Sequence, residues 1–190
     1  MKWSDIEDND FYIMYDENQK VIRGNWLITM GIDLNEIPNI LFDTFNQYNT
    51  LRTSKSKYES RKVLVTDIIG TSHKDYGDIT LINAFIRLKR LPIYINKVTP
   101  NRYFRNLKQS TDMQQVPVIL SPPLENGIYC IDGNGNNRMI LYKLMFLIKL
   151  CKTFTDIVSE KDLNNIYYKN NFCINEIISN YWLNALIRTN

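Results

Sequence analysis

Glycine, alanine and histidine are all scarce in this 190-residue chain. It has seven glycines, two alanines (Ala84 and Ala185) and one histidine, His73. Lysine, asparagine, isoleucine and tyrosine are abundant instead. That is the bias of AT-rich coding, so the many asparagines need no function of their own. Cysteine is sparse as well. Cys130, Cys151 and Cys173 lie far apart, their number is odd, and no Cys-x-x-Cys pair occurs. Both a disulfide framework and a zinc site are disfavoured, and a reducing cytoplasm is the expected compartment. The start, Met1-Lys2-Trp3-Ser4-Asp5-Ile6-Glu7-Asp8, lacks the apolar run of a signal peptide. No apolar run is long enough to span a bilayer. The most apolar stretch, Met139 to Cys151, is short and carries Lys143 and Lys149, so it reads as a buried helix. Internal repeats and low-complexity tracts are absent, and 44% hydrophobic residues argue for a folded chain.

Acid is missing from one region. Between Ala84 and Thr111 there is no Asp or Glu, but Arg87, Lys89, Arg90, Lys97, Arg102, Arg105 and Lys108 are all basic. The first residues are the reverse, with Asp5, Glu7, Asp8, Asp10, Asp16 and Glu17. A formal net charge of +3 implies no global nucleic-acid field. The asymmetry nevertheless points to an anionic partner for the basic stretch. Phe85, Tyr94, Tyr103 and Phe104 are interleaved with it, as in surfaces that grip a phosphodiester backbone and stack bases. The plainer reading is two solvated helix faces whose aromatics belong to the core.

Periodicity predicts a β-hairpin from Phe11–Tyr15 and Lys20–Arg23, then an amphipathic helix from Asn35 to about Tyr48 with Ile37, Ile40, Leu41, Phe45 and Tyr48 as its apolar set. Leu51 to Ser60 is polar and basic, and reads as a linker. Arg61–Gly70 is an expected strand. Asp78 is placed to cap a helix over Ile79–Arg90. A short strand at Ile93–Ile95 and a helix from Thr99 to Lys108 follow, with Pro100 early in that helix. Two strands, Val116–Leu120 and Ile128–Ile131, precede the apolar helix. Two more helices are expected, at about Glu160–Tyr168 and Ile174–Arg188. Strands interleaved with helices give an α/β, mixed α+β fold. The expected organisation is an N-terminal hairpin-and-helix extension (1–60), a central domain (61–152) and a C-terminal helical appendage (153–190).

The densest signal is Tyr129-Cys130-Ile131-Asp132-Gly133-Asn134-Gly135-Asn136-Asn137-Arg138, followed at once by the apolar segment from Met139. It reads as strand, tight glycine loop and helix start. Gly133 and Gly135 permit positive φ and close approach of a ligand. Asn136 or Asn137 is a candidate helix cap, and the N–H groups of the first turn then face outward. With Arg138 beside them, an anion, most naturally a phosphate, is the expected occupant of Gly133, Asn134, Gly135, Asn136, Asn137 and Arg138.

Strand, Asp132-Gly133, Gly135-Asn136-Asn137-Arg138 and apolar helix together resemble the ParB/sulfiredoxin-like domain family. Val116–Leu120 and Gly127-Ile128-Tyr129 fit the strands that precede its motif, and the resemblance covers roughly residues 61–150. It implies a small mixed sheet flanked by helices, with a nucleotide phosphate held at the loop. It also implies that the loop after the first strand faces the same pocket. Two departures matter. The reactive cysteine of sulfiredoxins is replaced by Asn136, which has no thiolate, so sulfinic-acid reduction is not expected. The usual histidine before the arginine is Asn137, which cannot accept a proton near neutral pH.

Candidate catalytic groups are His73, Asp67 and Asp75. His73 lies in the polar loop after the strand, as general base or phosphate contact. Asp67, Asp75, Asp78 and Asp132 are candidate oxygen ligands for Mg²⁺, although no spacing of His, Asp and Glu names a metal site. Asp132 is better read as bracing the loop through backbone hydrogen bonds, and Cys130 as a core side chain. The leading functional reading is binding of a nucleotide or other phosphorylated ligand, with hydrolysis or phosphoryl transfer as an open question. The alternative is a non-enzymatic regulator that binds nucleic acid or a partner protein through Arg87, Arg90, Arg102, Arg105 and Lys108. A ParB-like nuclease is weaker, for want of a dense carboxylate cluster.

Overall fold

The computed structural model describes residues 2–6, 19–50, 56–89, 117–154 and 172–189. Among them lie seven strands and four α-helices. The strands are β1 (Thr44–Gln47), β2 (Lys57–Leu64), β3 (Ile68–Thr71), β4 (Ile79–Thr80), β5 (Val118–Leu120), β6 (Tyr129–Ile131) and β7 (Trp182–Thr189). The helices are α1 (Gln19–Thr29), α2 (Leu81–Ile86), α3 (Asn136–Thr153) and α4 (Phe172–Asn180). All seven strands form one mixed sheet in the order β2-β7-β5-β6-β3-β1-β4. The expected mixed α/β class is therefore correct. The segments expected to be a separate extension and appendage both contribute strands to this sheet, and β2 runs across the boundary drawn at residue 60.

The register explains how the site is assembled. β3 pairs in parallel with both β6 and β1, so the chain leaves all three at one end of the sheet. β5 runs antiparallel to β6, with Leu120 opposite Ile131, and brings its N-terminus to that same end. β7 continues the sheet parallel to β5, and the eight-residue β2 pairs antiparallel to β7.

The core gathers around α3. Met139, Ile140, Leu141, Tyr142, Leu144, Met145, Phe146, Leu147, Ile148 and Leu150 are all buried. Burying each large apolar side chain contributes about 1.5–3 kcal/mol, so this helix is the main hydrophobic anchor of the fold. No helix among the described residues is long and apolar enough to cross a membrane. The Tyr142 hydroxyl donates to the Trp182 carbonyl at 3.0 Å, and the Tyr142 and Phe146 rings pack on Tyr181. These contacts fasten α3 to the turn between α4 and β7. Lys143 is buried too, and its ammonium donates to the Ile68 carbonyl at 2.9 Å.

Several expected elements take another form. Lys20–Arg23 is helical, not the second strand of a hairpin. Its neighbours show why: Arg23, Trp26 and Leu27 are buried while Val21 and Ile28 are exposed, a spacing of one helix face. The Trp26 ring packs on Phe85 of α2 at 5.6 Å, and buried Arg23 donates to the Leu88 carbonyl just past the end of that helix. Burial lowers the Arg23 guanidinium to about 10. The helix expected over 35–48 is a short 3₁₀ turn, Asn39–Phe42, followed by β1. Asp43 is already extended, and pairing with β3 and β4 outweighs the local helical spacing. The strand expected over 61–70 is divided by a 3₁₀ turn at Val65–Asp67 into β2 and β3, and β2 starts inside the supposed linker. The cap of α2 is Thr80, whose hydroxyl accepts the Asn83 N–H, and not Asp78. The helix expected over 174–188 stops at Asn180, and β7 takes its place, with Leu183, Ala185 and Ile187 buried at period two. The first hairpin strand at Phe11–Tyr15, the strand at Ile93–Ile95 and the helices at Thr99–Lys108 and Glu160–Tyr168 lie outside the described residues.

Candidate functional site

Two loops meet at the end of the sheet where β3 and β6 terminate. After β6 the chain turns through Gly133 and Gly135, at φ +111° and +108°. Both angles belong to the region that glycine enters without steric cost. Gly135 is the residue on which α3 starts, and no side chain of its own caps the helix. The first intrahelical bond runs from Met139 N–H to Gly135 carbonyl at 2.9 Å. The first turn, Asn136-Asn137-Arg138, contains no acid. Helix starts usually carry an oxygen cap or a carboxylate to satisfy the N–H groups and the dipole. Here those groups and Arg138 all favour negative charge.

Neither Asn136 nor Asn137 acts as the expected N-cap; both lie inside the helix. The Asn136 side chain is buried, accepts from the Thr71 hydroxyl and donates to the Gly133 carbonyl at 3.2 Å. It therefore ties the helix start to the end of β3 and braces the glycine turn. Asn134 donates through its side chain to the Pro117 carbonyl at 3.1 Å, fixing the loop against the entrance to β5. Gly133 is exposed, and Asn134, Asn137 and Arg138 are partly exposed.

The second loop, after β3, carries His73. Its backbone N–H donates to the Thr71 hydroxyl at 3.0 Å, so one threonine holds both loops. The His73 ring packs on Tyr76 at 4.9 Å, and Tyr76 is hydrogen-bonded to the Asn137 side chain. Burial pushes the Tyr76 phenol up, with that hydrogen bond working against it. The His73 loop thus lies beside the glycine loop. His73 Nδ1 accepts the Asp75 N–H at 3.3 Å, which leaves Nε2 to carry the proton in the neutral ring. His73 is arranged as a hydrogen-bond donor more than as a base.

The carboxylates divide. Asp75 stays with His73, its carboxylate 3.4 Å from the Lys89 ammonium. Asp67 is not brought to the site. It precedes β3, whereas His73 follows it, and at about 3.3 Å per residue that strand alone spans roughly 13 Å. Burial holds the Asp67 carboxyl above its ordinary value, with Thr66 as a hydrogen-bond partner. Asp78, at φ +57°, accepts the Gln47 N–H at 2.8 Å and serves the β1 edge. Asp132 is buried. One oxygen accepts from Thr50 at 2.7 Å and lies 3.4 Å from the Ser72 hydroxyl, and the other lies 2.7 Å from Nη1 of Arg188. These three contacts are to side chains, not the backbone hydrogen bonds expected to brace the loop. Among the described residues no group of three or more His, Cys, Asp or Glu side chains converges, and Asp75 and Asp132 are each already engaged by a cation.

Sequence reasoning missed Thr71, Tyr76, Thr50 and Arg188. Thr71 and Tyr76 flank His73 and were within reach of a reading that asked what holds that loop. Arg188 gave no signal, because its segment read as helix. Of the basic residues, Arg87 is exposed at the C-cap of α2. Arg90, Arg102, Arg105 and Lys108 lie outside the described residues.

The thiols take no part. Burial raises Cys130, with a hydrogen bond to Ser121 opposing it, and pushes Cys151 up to about 11. Cys173 is exposed. Because the thiolate is the reactive form, a native protein treated with a thiol reagent near pH 8 is expected to label Cys173 rapidly, the half-buried Cys151 slowly and Cys130 only on unfolding. Peptide mapping of the alkylated protein checks this, and fast labelling of Cys130 would show that its strand opens.

No family model, no curated protein and no solved structure matches this chain.

Proposed function

We propose that the chain binds the phosphate of a nucleotide or other phosphorylated ligand in the space bounded by the glycine loop, the first turn of α3 and the His73 loop. The observation that carries this reading is the start of α3: a left-handed glycine without a side-chain cap, an acid-free first turn and an arginine at its third position. Ligands of open α/β sheets sit beyond the carboxyl ends of parallel strands, and the loops after β3 and β6 are such a pair. The likeness of Asp132–Arg138 to the ParB/sulfiredoxin-like loop supports the same ligand class.

In this reading the amides of the helix start and the Arg138 guanidinium hold the phosphate oxygens. His73 donates from Nε2, and Asn137 presents its amide at the rim. What supports binding ahead of turnover is the state of the titratable groups: His73 Nδ1 accepts a backbone N–H, and the Asp75 carboxylate lies against Lys89.

Calorimetry or thermal shift with CTP, ATP and ADP, each with and without Mg²⁺, tests the reading. At least one nucleotide is expected to raise the melting temperature. Arg138→Ala is expected to weaken its binding about 10- to 100-fold, the worth of one charge-assisted hydrogen-bonded contact, and to flatten the salt dependence. Identical melting with every nucleotide would remove the proposal.

A further inference from the structure

At the far edge of the sheet, β2 is hydrogen-bonded on one side only, to β7, among the described residues. From Lys57 to Lys62 every residue is exposed, on both faces of the strand. Such a strand offers a row of unpaired N–H and C=O groups to another strand. Charge usually blunts such an edge, and the sequence Lys57-Tyr58-Glu59-Ser60-Arg61-Lys62 is charged. Its charges are arranged in a particular way, however. Glu59 and Arg61 lie on either side of Ser60, and so do Tyr58 and Lys62. A two-fold axis through Ser60, perpendicular to the sheet, sets two copies of the strand antiparallel. Glu59 then stands directly opposite Arg61 of the second copy, and Arg61 opposite its Glu59. Tyr58 likewise stands opposite Lys62, twice over.

We infer that β2 is a homodimerisation edge, pairing antiparallel with β2 of a second copy of this chain about Ser60. Opposed residues of an antiparallel pair share a face and lie close enough to interact. All four cross-strand contacts are therefore complementary in sign or of the cation–aromatic kind. Within each chain Glu59 and Arg61 already pair at 2.9 Å, each about half exposed, so exchanging the two intrachain contacts for two equivalent ones across the axis costs little. A symmetric isologous contact is also the commonest way two identical chains meet. With both faces of the strand exposed, the pairing buries little apolar surface. The dimer is weak, forming in the micromolar range and loosened by salt.

The test is sedimentation equilibrium of the full chain from low to high micromolar concentration. The wild type is expected to show a monomer–dimer equilibrium. Glu59→Arg places arginine opposite arginine twice, and Arg61→Glu places glutamate opposite glutamate twice. Each variant alone is expected to raise the dissociation constant about tenfold or more. Mixed one to one, the two variants are complementary at every opposed position, and heterodimer is expected to return to wild-type strength. Arg61 also hydrogen-bonds Tyr129, so circular dichroism must show both variants folded. Glu59→Arg, at an exposed position, keeps the test decisive should Arg61→Glu unfold. A wild type that stays monomeric at high concentration would assign the charges to edge protection and overturn the inference. So would a dimer indifferent to both substitutions, which would place the contact elsewhere, for example on the exposed Val21–Ile28 face of α1.

Discussion

Replacing Arg188 with alanine is expected to cost about 3–5 kcal/mol of folding stability, because it strands a buried carboxylate. The Arg188 and Asp132 side chains are 4% and 1% exposed, and the nearest charged atoms are 2.7 Å apart. The contact is close but not aligned as a hydrogen bond, and Nε of Arg188 is buried without an acceptor among the described residues. The pair is thus held by charge more than by directed bonding. Removing one member leaves the whole desolvation penalty of the other, whereas removing both removes the penalty as well. Urea unfolding followed by tryptophan fluorescence should show the midpoint of Arg188→Ala falling with an unchanged slope. The double variant Asp132→Asn/Arg188→Met retains an acceptor for Thr50 and Ser72 and should recover most of the loss. A single substitution costing under about 1 kcal/mol would mean that water already reaches the pair. The effect extends to the ligand. Asp132 links the ends of β1, β3 and β6 through Thr50, Ser72 and its own place before Gly133. An Arg188→Ala protein that still folds should therefore bind phosphate more weakly than the wild type.

How much of this was legible in the sequence depends on whether the deciding interaction is local. The glycine loop and α3 were legible because each is decided within a few residues. Only glycine enters φ near +110° without strain, and an apolar run interrupted only by Lys143 and Lys149 reads as a buried helix. β5 and β6 were legible for the same reason, as short apolar runs between turn residues. β3 and the end of β2 lie within the strand expected over Arg61–Gly70, but β1, β4, β7 and the start of β2 were not legible. In β2, Lys57–Lys62 has no apolar alternation, because neither of its faces meets the core, and a strand without a buried face looks like a linker. β1 reads as helix because Ile37, Ile40, Leu41 and Phe45 fall at helical spacing, and all four are indeed buried. The chain reaches those positions by a 3₁₀ turn and a strand, a choice made by β3 and β4. Around Asn180 no glycine or proline marks the end of α4. Its side chain donates to the Glu176 carbonyl, and the change from period 3.6 to period two is hidden by apolar residues on both sides. At the site, His73 and Asp132 were chosen for their chemistry. Their partners Thr71 and Arg188 depend on strand register, which composition does not contain.

Gly135→Ala separates these two levels and should affect both stability and binding. The residue lies at φ +108°, where a side chain carries a strain of about 1–3 kcal/mol. An added Cβ would also lie 3.0 Å from Cα, Cγ1 and Cγ2 of Val118. The Val118 side chain cannot turn out of the way of all three contacts, since one is backbone of a central strand. Overpacking of this kind adds about 1–3 kcal/mol, so a total loss of about 2–6 kcal/mol is expected. Relief would come from moving the start of α3 away from β5. That shift carries the Asn136 amide off Thr71 and redirects the first-turn N–H groups. Phosphate binding should therefore fall more in Gly135→Ala than in Gly133→Ala, where the residue is exposed and the strain is local. The two variants need comparing by urea unfolding and by titration with whichever nucleotide stabilises the wild type. If Gly135→Ala unfolds within about 0.5 kcal/mol of the wild type, the range of an ordinary surface change, and binds as tightly, then the tight approach of the loop to Val118 is not what shapes the ligand seat.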